Sequence, residues 1–150
     1  MFEAVREFFG RVNAAGEPPG GRERAVHLAA AALLFEIVRA DGAVKPAELT
    51  VMRTAVQGTF GLSAQDTDEV MALAEQESRT AISLFDFTRV VDEAFDEAQK
   101  KRIVELLWLV AFADAEKDAQ EEHLIRQIAG LLHVRHPDFI EAKIRARDQS

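Results

Sequence analysis

Apolar residues recur along this chain with the period of a helix. Val26, Ala29, Ala30, Leu33 and Ile37 follow i, i+3, i+4, i+7 spacing, as do Leu49, Met52 and Val56, and Leu84, Phe87, Val91 and Ala94. Leu124, Ile125, Ile128, Leu131 and Leu132 make a further stripe late in the chain. From Ile103 to Phe112 the chain is apolar nearly all round, which predicts a central, buried helix. No segment sustains the two-residue alternation of a half-buried strand. The pattern predicts an all-α protein, a compact bundle of about seven to eight helices.

The breaks between helices are marked. Gly16 to Gly21 (Gly-Glu-Pro-Pro-Gly-Gly) reads as a non-helical linker. It divides the chain into an N-terminal amphipathic helix with its linker, residues 1–21, and a helical domain, residues 22–150. The N-terminal helix carries Phe2, Val5, Phe8, Phe9 and Val12 on one side. Three roles fit it: docking on the core, a detachable interaction helix, or membrane-surface attachment through Phe8 and Phe9, which Arg6 and Arg11 support only weakly. Gly42 is placed to end one helix and Pro46 to open the next. Gly58 and Gly61 flank Phe60 in an expected turn, and Ser63, Asp66 and Ser83 suit helix N-caps. Pro137 opens a short final helix whose end carries Lys143, Arg145 and Arg147, where cations favour the helix dipole.

The chain also repeats itself. A shift of 73 positions (114 − 41 = 73) lays Ala40-Asp41 on Ala113-Asp114, Glu48 on Glu121, and Val51, Met52 and Arg53 on Leu124, Ile125 and Arg126. Upstream, Leu33-Leu34-Phe35 falls on Leu106-Leu107-Trp108. Each copy reads as an apolar helix, Ala-Asp, a short loop, Glu and a second amphipathic helix. The expectation is a bundle built from two similar helical-hairpin halves sharing one core.

Composition sharpens this picture. The chain has 150 residues and 48% hydrophobic content, so a substantial core can form. No apolar run approaches the roughly 18 residues needed to cross a bilayer, and no signal-peptide pattern is present. Hence the expectation is a cytoplasmic protein, peripheral at most at the inner face of a membrane and not integral to it. There is no cysteine, which removes disulfides, thiolate metal sites and cysteine nucleophiles. Thiol-based reduction of an oxyanion by this chain is thereby excluded. The formal net charge of −8 repels phosphate backbones and argues against nucleic acid as a partner.

Charge concentrates at the two repeated loops. Asp41 and Asp114 fall at the C-terminal ends of helices, where the dipole disfavours a carboxylate by about 0.3–1 kcal/mol. Glu48 and Glu121 follow seven residues later, and each loop turns the chain back so that its Asp and Glu can face each other. Carboxylate oxygens in such an arrangement suit hard divalent cations, calcium or magnesium. The second loop adds Glu116, Asp118 and Glu122 as further acidic ligands. A plainer reading stands beside this one: Asp118 with Glu121 has capping-box spacing, and first-turn acids favour the dipole without any ion. Neither loop is an EF-hand, since Ala119 and Ile125 occupy the positions where that motif needs Gly and Glu.

With these motifs the chain resembles the tellurite-resistance protein B (TerB) family. Ala40-Asp41-Gly42 with Glu48, and Ala113-Asp114 with Glu121-Glu122, are similar to its paired motifs. The framing segments match too: Leu33-Leu34-Phe35, Leu106-Leu107-Trp108 and Ile125-Arg126-Gln127-Ile128-Ala129. The resemblance covers about residues 22 to 145. It implies an all-helical fold of two halves, acidic residues that bind divalent metal, and a part in bacterial tellurite resistance and stress responses near the membrane. Asp41, Glu48, Asp114 and Glu121 match the motif, whereas Ala115 stands where the family usually has Gly. The resemblance implies protein partners, including a membrane-associated complex.

Other chemistry is sparse. His133 and His136 are three apart, but Pro137 follows, so a surface or capping role is expected. His27 and His123 read as helix-surface residues, and the ten Phe and single Trp108 as core. No nucleophile elbow or Gly-rich phosphate loop is present, and nothing requires an enzyme. The sequence thus points to a non-enzymatic cation-binding module, with a metal-independent interaction module using the acidic face as the alternative.

Overall fold

The computed structural model describes residues 21–40, 42, 44–80, 84–113 and 119–150. The N-terminal amphipathic segment, most of the linker after it, Asp41 and the second acidic loop lie outside the described residues. The described residues form seven helices: α1 (Gly21–Val38), α2 (Pro46–Phe60), α3 (Ala64–Thr80), α4 (Phe85–Ala94), α5 (Glu97–Phe112), α6 (Ala119–Leu131) and α7 (His136–Gln149). No strand occurs among them, in accord with the all-α expectation.

Two helices lie at the centre. α5 is buried from Ile103 through Trp108 and again at Val110 and Ala111, as its all-round apolar sequence predicts. α1 corrects the expectation of a single stripe, for every residue from Ala25 to Phe35 is buried. The reason is its surroundings: α3, α4, α5, α2 and α6 all pack on it. The run Ala29–Ala32 suits so crowded a place, because small side chains let several neighbours approach at native packing density. Arg24 pairs with Glu69 at 3.1 Å near the start of α1, and Arg39 donates to Ser78 at 2.8 Å near its end. α1 and α3 therefore run the same way.

The helix boundaries follow the 73-residue offset. Pro46 opens α2 and Ala119 opens α6 (119 − 46 = 73), and α3 and α7 begin within one residue of the same shift. Among the described helices the most extensive contacts are α5 with α7 and α1 with α3, which are corresponding pairs. α4 stands between the two sets.

Local chemistry explains most of the ends. The Ser63 hydroxyl accepts from the Asp66 N–H at 3.0 Å and caps α3, as its residue type predicts. Gly58 lies inside α2 rather than in a turn; the helix runs on to Phe60 and stops at Gly61, whose φ of 63° supplies the left-handed end. Gly21 likewise joins α1, where the first turn has no backbone partner to lose. Asp96 and Gln99 form a reciprocal capping box that starts α5. The residue at the N-cap of α4 is Leu84, and Ser83 lies outside the described residues. The final helix is not short, running 14 residues from His136.

Candidate functional site

The two helix ends that lead into the acidic loops close in the same way. Ala40 donates to the Ile37 carbonyl at 3.2 Å, and Ala113 donates to the Val110 carbonyl at 3.2 Å, one repeat later. In the first loop Gly42 has φ of 84°, a backbone state that strains any side chain, so glycine is favoured there. Ala115, Asp41, Asp114, Glu116 and Asp118 lie outside the described residues.

The chain re-enters helix with a glutamate in the same place twice. Glu48 is the third residue of α2 and Glu121 the third of α6. Both are buried, at 0% and 2% exposure. The cause is register. Glu48, Met52 and Val56 share one face of α2, and Glu121, Ile125 and Ala129 share the corresponding face of α6, so each carboxylate heads a core-facing stripe. These two sit at the N-terminal end of the apolar core, with the positive end of the helix dipole beside them.

Glu122 behaves differently. It turns outward to Lys143 of α7, with Oε1 3.4 Å from Nζ, while the same ammonium lies 4.9 Å from the centre of the Trp108 ring. Trp108 stacks on Phe112 and meets Phe139 at a tilt, which closes the end of the second half.

Beside the first loop lies a polar network that helix periodicity does not announce. Arg39 donates to the Ser78 hydroxyl, which donates to Glu36 at 3.1 Å. Burial pushes the Glu36 carboxyl above the ordinary range, against the opposing pull of Ser78 and Arg39. The network ties the C-terminal ends of α1 and α3 together immediately before Ala40. Its only sequence trace is the i, i+3 pair Glu36 and Arg39. Glu77 and Glu105 are also buried; Glu105 is held by Arg102 and by Gln149 at 2.9 Å.

The histidines divide. His133 and His136 are exposed at the end of α6 and the start of α7, as expected, and His123 is exposed too. His27 is a correction: it is buried and stacks on Phe60 with ring centres 4.1 Å apart. It lies on α1, which is covered on all sides. Among the described residues, no group of three or more His, Cys, Asp and Glu side chains is placed to hold a metal. No described helix is long and apolar enough to cross a membrane.

An all-helical bundle with acidic helix starts at matched positions defines the class of protein. Residues 27–144 match the family model of Tellurite resistance protein TerB, and the chain belongs to that family. No curated protein and no solved structure matches it.

Proposed function

We propose that this TerB-family protein binds a divalent cation, calcium or magnesium, through its two acidic loops, and acts without catalysis, through protein partners, in tellurite resistance or a related stress response. The observation that carries the reading is the burial of Glu48 and Glu121 at the same helix position in each half. Each glutamate stands at the start of the helix that follows its loop, so a cation held between it and the aspartate of that loop would have carboxylate oxygens as ligands, the donor type that calcium and magnesium prefer. Asp41 with Glu48, and Asp114 with Glu121, are the principal ligands; Glu116, Asp118 and Glu122 are accessory to the second loop. Calorimetric titration with calcium, magnesium, manganese and zinc tests this. Binding should appear with at least one ion and weaken in Asp41→Asn and Asp114→Asn, and silence with all four ions refutes it.

The net charge of −8 favours a second reading, in which the acidic face meets a basic protein partner with no ion. Capture of that partner would then survive chelation yet fail with the same loop variants.

A further inference from the structure

The Lys143 ammonium is held between the Glu122 carboxylate and the face of Trp108. The repeat shows what else this place can contain. The three corresponding positions of the first half (122 − 73 = 49, 143 − 73 = 70, 108 − 73 = 35) are Leu49, Val70 and Phe35. All three are apolar; Phe35 and Val70 are core residues and Leu49 packs against the core. The same corner of the fold is therefore closed by hydrocarbon in one half and by an ion pair over an aromatic ring in the other. Partly buried ion pairs rarely stabilise a protein more than a well-packed apolar replacement. Folding alone does not call for a charge here.

We infer that Lys143 is a resident counter-ion for the acidic start of α6, occupying by a tethered ammonium the negative field that a soluble cation would otherwise fill. The inference rests on the cation-binding reading for its binding consequence, and it makes the two halves unequal. In the first half the position of Lys143 is taken by the uncharged Val70. The second half binds only by competing with Lys143, whose hold on Glu122 is a charge-assisted contact backed by cation–π attraction. The geometry also supplies a reporter. Trp108 is the chain's single tryptophan and there is no tyrosine, so indole emission reads the ring on which the ammonium rests.

The test uses the full chain in three forms: wild type, Lys143→Met, and the double variant Glu122→Leu/Lys143→Val, which installs the first-half residues. Calcium, magnesium and manganese are titrated calorimetrically, with Trp108 emission followed in parallel. Removing a unit charge from this partly screened place should tighten the weaker site by about tenfold in Lys143→Met. The metal-free emission of that variant should also differ from wild type. The double variant should melt within about 2 °C of wild type or above it. Unchanged or weaker affinity in Lys143→Met overturns the inference while leaving the cation reading intact. A melting temperature lowered by more than about 5 °C in the double variant overturns it as well, by making the pair structural. If wild type binds no ion, binding gained in Lys143→Met supports the inference, and continued silence refutes it together with the cation reading.

Discussion

His27 gives the chain a pH dependence whose sign follows from its surroundings. The imidazole is buried in α1, stacked on Phe60, with Nε2 3.9 Å from Glu23 and no partner at Nδ1 among the described residues. Burial lowers its pKa below the ordinary 6.5, and Glu23 only partly opposes this. The unfolded chain therefore takes up a proton before the folded one does. Stability is complete above 6.5 and falls as the pH drops below that value, until the folded imidazole itself protonates. Each pH unit by which burial lowers the pKa corresponds to about 1.4 kcal/mol. The buried Nδ1 adds a further cost, about 1–3 kcal/mol for an unsatisfied polar atom. His27→Phe keeps a ring against Phe60, removes both costs, and should stabilise the protein by about 1 kcal/mol at pH 7.5. Its advantage should widen at pH 5.5. Glu36 acts in the opposite sense: its raised pKa makes the folded state gain from protonation as the pH falls. The quantity to measure is thus the difference between wild type and variant in urea unfolding at the two pH values. Parallel stabilities at pH 7.5 and 5.5 would refute the argument, since they would mean that the imidazole titrates alike in folded and unfolded chains.

Three further outcomes are expected. His133 has φ of 62° at the left-handed end of α6, so His133→Gly should relieve about 1 kcal/mol of backbone strain and lose at most a similar amount from the exposed contact to Asp92. Thermal unfolding should show an unchanged or slightly raised midpoint, because Lys100 still holds Asp92 at 2.6 Å. Asp96→Ala removes half of a reciprocal capping box and should destabilise by about 1 kcal/mol in denaturant titration; no loss would mean that Gln99 alone starts α5. Glu48→Gln and Glu121→Gln should each weaken divalent-ion binding about tenfold or more in calorimetry, a result that unchanged affinity in both would contradict.

The helices were legible because their cores are periodic. The stripe from Leu124 to Leu132 and the apolar stretch from Ile103 to Phe112 became α6 and α5 with little change. What the pattern hid was how many neighbours each helix would have. The sequence of α1, with its unbroken Ala-Leu-Phe run, supports either one buried face or burial all round, and only the packing of five other helices decides. His27 was misplaced for the same reason, since a histidine amid apolar residues reads as surface until the opposite side of the helix is covered. Gly58 was misread because glycine at one position weakens a helix by about 1 kcal/mol without ending it. The burial of Glu48 and Glu121 did leave a signal: each lies four residues before the first core position of its helix, on the same face.

That signal bears on why the two halves keep some positions and exchange others. Phe35 becomes Trp108, Leu49 becomes Glu122 and Val70 becomes Lys143 under the 73-residue shift, so the fold accepts large changes of polarity next to its core. Against this tolerance, the Ala-Asp at the helix end and the buried glutamate are alike in both halves. Packing does not demand the glutamate. An apolar residue heading the Met52 or Ile125 stripe would continue the core without desolvating a carboxylate. Capping does not demand burial, since a capping carboxylate serves the first-turn N–H groups equally well from the surface. The buried glutamate is thus a polar feature that the 73-residue shift leaves in common while it exchanges the polarity of its neighbours. Glu48→Gln and Glu121→Gln, which keep the shape of the side chain and remove its charge, are therefore the substitutions that separate a role of the charge from one of packing.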